Sequence, residues 1–367
     1  MKWLNWILMS VLLVFCVNAN AKISVLFVSP STADDPFWIK VEQFAQRAAQ
    51  DLDMDLVVIH GDGHREYQYQ NLNTYLSSNP MPDYAIVINY PGDNGKSMGA
   101  LESRGIYFIT LEQTLSHAGR AKVGFAQEKF KYWLSELSHD NEKAGYDLAS
   151  ALTEQAKISG IINPSVVAIG GHYGAETDFR FKGLSRYLSA NRLQLNQLVH
   201  AQWRADLAAE QTKRLLRRYN HTNVIWSASD LMALSAVKEA QSAGKVINQT
   251  LFIGGFDWLD SALDAIENEQ MSASIGGHFL MGAWALVALY DHAHQKDNEI
   301  TVPKSISFKL ALADSTNVKH VKPVVTVKNW QHINFKDFTL THSHKQSYSS
   351  IDINNIIEHY FNSDFSR

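Results

Sequence analysis

Cysteine is nearly absent. The 367 residues hold one, Cys16, inside an N-terminal segment expected to be removed, which excludes a disulfide scaffold and a cysteine nucleophile. Charge is sparse and nearly balanced, with a formal net charge of -4 and no basic block, so nucleic acid is not expected as a partner. Beyond the N-terminus the apolar runs are short and interrupted, and no membrane span is expected. HExxH does not occur, and the one GxSxG match, Gly95-Lys96-Ser97-Met98-Gly99, puts its serine inside the helix expected at Lys96–Ser103 rather than on a turn before it. Gly170-Gly171-His172-Tyr173-Gly174 and Gly276-Gly277-His278 make neither a P-loop nor a full dinucleotide fingerprint. His342 and His344 have no acidic ligand at a standard spacing. The expectation is therefore no catalytic group, no metal and no cofactor.

What is present begins with Lys2, an apolar stretch from Trp6 through Val17, and Val17-Asn18-Ala19-Asn20-Ala21. Alanines at the two positions a signal peptidase reads predict a signal peptide over 1–21, with cleavage before Lys22. The apolar run falls short of the ~20 residues a membrane helix needs. Phe15 beside Cys16 departs from a lipobox.

The remainder alternates short β-branched strands with helical patterns. Strands are expected at Ile23–Val28, Leu56–Ile59, Tyr84–Ile88 and Ile106–Thr110, with helices between them. After a helix from about Asn141 to Glu154 the series restarts, with strands at Val166–Gly170, Gln194–Val199, Asn223–Trp226, Leu251–Gly254 and Gln270–Ile275. Such a pattern predicts parallel sheets covered by helices on both faces. Two series of similar size predict two α/β lobes with a cleft at the carboxyl ends of the strands. After Glu299, Ser305–Ala311 and Val324–Lys328 look extended, and a polar, serine-rich tail follows.

Five motifs in order carry a resemblance. They are Asp35-Pro36-Phe37-Trp38, Asp140-Asn141-Glu142-Lys143-Ala144-Gly145, Arg180-Phe181-Lys182-Gly183-Leu184, Ser229-Asp230-Leu231-Met232-Ala233 and Gly255-Phe256-Asp257. Over about Lys22 to Ala311 the chain resembles the ribose- and galactose-type (type I) periplasmic binding proteins, including the receptor for the signal autoinducer-2. The resemblance implies two Rossmann-like lobes with parallel sheets, joined by a three-segment hinge. It puts the N-terminal lobe at 22–128 plus 277–289, the C-terminal lobe at 129–276, closing crossover strands at 290–328 and a C-terminal extension at 329–367. It implies a monomer in the periplasm that closes on a small polar, carbohydrate-like ligand without catalysis. The partner it implies is an ABC permease, or alternatively a membrane sensor kinase or related receptor.

The resemblance also points to ligand-contacting positions. Phe37, Trp38, Trp203 and Asp257 keep the family's chemistry. Glu112 and Gln113 stand where an Asp-Arg pair grips sugar hydroxyls, Asp178 stands where an arginine does, and Ser229 replaces an asparagine. Arg180, Trp258 and His278 complete the candidate set. Flat rings suit the apolar faces of a compact ligand, and carboxylates its hydroxyl or ammonium edges. Each has a plainer alternative: either ring of Phe37-Trp38 as core, Trp203 or Trp258 as loop packing, Asp257 as a helix cap, and His172 or His278 as an ordinary surface histidine.

Overall fold

The structure, a computed structural model, describes residues 22–90, 92–93, 95–112, 115–295, 302–343 and 350–361. The expected signal peptide and Gln113 lie outside the described residues.

The first half of the chain runs β1 (Ile23–Ser29), α1 (Pro36–Asp51), β2 (Met54–His60), α2 (Arg65–Ser78), β3 (Tyr84–Ile88), α3 (Lys96–Glu102), β4 (Tyr107–Leu111), α4 (His117–Val123) and β5 (Trp133–His139). The second series is α5 (Asn141–Ile158), β6 (Val166–Gly170), α6 (Ala175–Ala190), β7 (Leu195–His200), α7 (Ala205–Arg218), β8 (Val224–Ser227), α8 (Asp230–Ser242), β9 (Phe252–Phe256), α9 (Asp260–Glu267) and β10 (Ala273–Gly276). Then come α10 (Met281–His294), β11 (Ser305–Lys309), β12 (Ala311–Asp314), α11 (Val318–Val321), several one-turn helices and β13 (Ser350–Asp352). Among the described residues no helix is long and apolar enough to cross a membrane.

These elements build two lobes. One sheet has the order β13-β11-β5-β4-β3-β1-β2, and the other β12-β10-β9-β8-β6-β7. Every pairing is parallel except β10 with β12. The apolar strands β3 and β6 are buried along their whole length, as sheets covered on both faces require. Helix starts follow local chemistry. Asp35 accepts from the amides of Phe37 and Trp38 at 3.0 and 3.1 Å, and Pro36 fills the first turn.

Two of the recognised motifs have a direct packing explanation. Helices α5 and α6 cross backbone to backbone, because a Cβ at Gly145 would lie 1.9 Å from the carbonyl oxygen of Arg180, and one at Gly183 1.9 Å from that of Glu142. No side-chain rotamer relieves a clash with main chain. Gly183→Ala is expected to lower unfolding free energy by about 2–3 kcal/mol. Urea denaturation checks this; a midpoint within error of wild type would show that the helices separate freely.

Up to β12, three connections link the lobes. They are β5 into α5 at His139–Asn141, β10 into α10 through Gly277 and His278, and β11 into β12 at Leu310. Two expectations change here. Residues 133–139, assigned above to the second lobe, form a strand of the first sheet, between β4 and β11. Its sequence WLSELSH is broken by polar residues and does not look like a buried strand. Ser135 and Glu136 are nevertheless satisfied internally, Ser135 through the Pro303 carbonyl at 2.7 Å and Glu136 through both oxygens to Arg120 at 2.7 and 2.8 Å. The single extended stretch expected at Ser305–Ala311 is two strands, one in each sheet.

The C-terminal segment is not a peripheral tail. Residues 324–328 form one-turn helices rather than a strand. Helix α11 packs on α9 of the second lobe, and Lys322 bridges to Asp264 at 2.7 Å and to Glu267. The chain then crosses to the first lobe. Trp330 is fully buried against Phe44 and Phe335, with ring centroids 5.2 and 5.7 Å away, and donates to the Val324 carbonyl at 2.7 Å. Strand β13 adds to the edge of the first sheet, and Ile353 fills the space beside Gly277 at the hinge. Lys40 of α1 reaches Asp260 of α9 at 2.6 Å and the Val325 carbonyl at 3.3 Å, so the segment is fixed to both lobes at one place.

Candidate ligand cleft

The carboxyl ends of both sheets face one cavity of about 680 Å³, within the roughly 300–1,000 Å³ of small-molecule sites. Its lining includes Phe37, Trp38 and Glu112 from the first lobe, Arg180, Trp203, Ser229 and Asp257 from the second, and His278 from a hinge connection. The rings are set by local structure. Phe37 and Trp38 occupy the first turn of α1, edge to face at 5.3 Å, and Phe37 lies 4.6 Å from the His278 ring. Trp203 follows β7 with φ of 61°, and Gly171 beneath it admits the indole, since a Cβ there would fall 2.1 Å from the ring. Glu112 (φ 63°) and Asp257 (φ 113°) also lie at positive φ, an uncommon conformation for residues with side chains.

Two expected residues are elsewhere. Asp178 is exposed on α6 and does not line the cavity. Two positions before Arg180 means about 200° around a helix, so when Arg180 faces the cleft Asp178 faces away. Glu176, four positions before Arg180, shares its face and lines the cavity. Trp258 is fully buried beneath Gly276 and donates to the Ser274 carbonyl at 3.1 Å, so it supports the floor instead of forming a wall. Ser229 lines the cavity, while its hydroxyl caps α8 by accepting from the Met232 amide at 3.3 Å.

Sequence reasoning also missed Tyr90, Asp35 and His139. Tyr90 and Asp35 line the cavity. His139 closes β5 behind it, its ring 4.8 Å from that of His278. The signal available was position alone, at the end of a strand or the start of a helix.

Arg180 organises the floor without an ion pair. Its Nε donates to Asn141 Oδ1 at 2.7 Å and its Nη1 to the Ala228 carbonyl at 2.7 Å, and the guanidinium lies 4.6 Å over the Phe256 ring. Among the described residues no carboxylate lies within 4.0 Å of it. Because Asn141 Oδ1 already accepts from Arg180, the His139 Nε2 2.9 Å from it is the protonated nitrogen. Burial, reinforced by His278 and Arg180, holds His139 neutral well below the usual histidine range, and burial with Arg180 does the same for His278.

The carboxyls move the other way. Burial, with Glu176 nearby, raises Glu112 well above the carboxylate range, and burial raises Glu176 too. Asp257 is pushed up to about 7 by burial, with Arg180 opposing. Asp230 is raised by burial and then by Asp257, but it is structural, accepting from Leu259 N at 3.0 Å and Ser274 Oγ at 2.8 Å.

Glu112, His139 and His278 each bring one ligand atom within 4.8 Å of the others. That spread exceeds the ~3.3 Å between atoms bound to one tetrahedral zinc. The Arg180 Nη2 also stands 3.4 Å from His139 Nε2. The cluster therefore suits hydrogen bonding to a polar ligand better than a metal.

Comparisons with known proteins agree with this architecture. Residues 25–297 match the family model described as periplasmic binding protein domain. The ribose import binding protein of Haemophilus influenzae is 24% identical over 287 residues, covering 75% of this chain and 87% of that protein. A solved periplasmic sugar-binding protein from Pseudomonas fluorescens superposes with a TM-score of 0.78 at 24% identity, covering 90% of this chain and 98% of its own. The fructose-binding periplasmic domain of a hybrid two-component system superposes at 0.70 with 16% identity, covering 86% and 98%.

Proposed function

The chain belongs to the periplasmic binding protein family, and from that premise we propose that its cleft closes on a small polyhydroxylated, sugar-like solute and delivers it to an ABC permease. It is a periplasmic solute-binding protein and not an enzyme. The observation that carries the ligand reading is the cleft itself, where Phe37 and Trp38 face Trp203 across a floor of buried carboxyls and imidazoles. Flat rings bury the apolar face of a sugar, and acceptors at its edge take the hydroxyl protons. The names of the relatives that import ribose support the same class.

Native mass spectrometry of protein purified from its own periplasm, followed by calorimetry against sugars and polyols, identifies the ligand. Trp203→Ala is expected to weaken its binding about 10- to 100-fold, the loss of one large apolar contact. Exclusive binding of an inorganic anion would refute the assignment. A sensory role is the second reading, because the same fold serves as the periplasmic domain of a two-component system. Loss of uptake with intact signalling on deleting the chain's gene would decide for transport, and the reverse for sensing.

A further inference from the structure

Glu112, Glu176 and Asp257 all line the cleft. Glu112 comes from the first lobe, the other two from the second. Glu112 is 4% exposed and Asp257 7%. Oε1 of Glu112 is buried with no partner, and the nearest ion-pair atom to Asp257 is His278 Nε2 at 3.4 Å. Of the two arginines that line the cavity, Arg204 is paired with Asp206, and Arg180 has its Nε and Nη1 committed to Asn141 and Ala228. Lys40 of α1 does not line the cavity and is paired with Asp260. His139 and His278 are neutral and compensate nothing, and Asp35 is spent on capping α1.

Three carboxyls, two of them on Glu112 and Glu176 side by side, thus share this part of the cleft with one guanidinium. Either two of them keep protons or a second cation completes the balance. Hydroxyl groups would satisfy the oxygens as acceptors but leave the charge. The walls are suited to a cation as well, because the faces of Trp38, Trp203, Phe37 and Tyr90 carry negative potential.

We propose that the ligand carries a protonated amine together with its hydroxyls, an amino sugar or amino-polyol, with the ammonium seated among Glu112, Glu176 and Asp257. This inference rests on the sugar-like reading and narrows it. A cation entering between the lobes draws them together, since it is shared by carboxylates from both. It also drives the raised carboxyls to release protons, which a neutral sugar does not.

The test uses the full mature chain, cleared of bound solute by reversible unfolding, and matched probes differing at one position. These are glucosamine with glucose, galactosamine with galactose, mannosamine with mannose, and 1-amino-1-deoxysorbitol with sorbitol. Thermal shift at pH 7 screens the pairs, and calorimetry in two buffers of different ionisation enthalpy measures affinity and proton release. The expected result is at least one pair in which the amine binds about tenfold or more tightly than its hydroxyl partner and releases protons, with the advantage lost in Glu112→Gln. Equal or weaker binding by every amine overturns the inference. If neutral sugars bind in that case, the sugar-like reading stands; if no member of any pair binds, both readings fall. A shift produced by zinc chloride and reversed by chelator would reassign the cluster to a metal and equally overturn the inference.

Discussion

Trp330→Ala should lower the unfolding free energy by about 3–5 kcal/mol, the range for truncating a large aromatic in a well-packed core. Trp330 is fully buried between Phe44 of α1 and Phe335, and its indole hydrogen bond to the Val324 carbonyl would be lost with the ring. The residue lies beyond the part of the chain that matches the family, so a peripheral extension would predict less than 1 kcal/mol. Urea and thermal unfolding check the figure. The segment also joins α9 of one lobe to α1 of the other through Lys322 and Lys40, so the variant should unfold in one broadened transition as the lobes uncouple.

The unliganded protein should lose stability as pH rises from about 4 to about 7. The folded-state value of Asp257 is pushed up to about 7, above its unfolded value near 3.9. Between those values the folded chain binds more protons than the unfolded one, so stability falls with rising pH. The contribution is fully present below about 4 and lost through about 7, on the order of 4 kcal/mol for this one group. Asp257→Asn keeps the shape and removes the titration. It should remove this group's share of that fall and be the more stable protein at pH 8. Glu112, Glu176 and Asp230, all raised, leave a residual slope of the same sign. Denaturation midpoints at half-unit pH steps would read this directly. A wild-type curve rising through that window, or a variant with an unchanged slope, would contradict the placement of Asp257 among uncompensated carboxyls.

Much of the fold was legible because parallel strands buried on both faces are continuous apolar runs, and their βα spacing repeats. Strands β3 and β6 fall where the pattern put them, and the helix starts at Asp35 and Asp140 announce themselves chemically. The glycines of the second and third motifs mark a helix crossing. Strand β5 was hidden because its Ser and Glu side chains are buried by specific partners. The docking of the C-terminal segment was hidden because Trp330, Phe335 and Phe338 are spread through one-turn helices with no period.

The site was legible at its walls and blurred on its floor. Phe37, Trp38 and Trp203 sit at strand ends or helix starts, positions a sequence can mark. Finding Glu176 in place of Asp178 required the rotation of α6 about its axis, which its contact with α5 sets. Choosing between Trp203 and Trp258 required knowing that Gly276 leaves space for the second indole beneath the floor.

The central claim is that the two lobes close on a solute held between them. Small-angle scattering of the solute-free protein, repeated at saturation with the ligand recovered from its periplasm, tests it most directly. The account predicts a fall in radius of gyration on binding, with its midpoint moved about 10- to 100-fold up in ligand concentration in Trp203→Ala. Tight binding with an unchanged radius of gyration and unchanged tryptophan emission would contradict it.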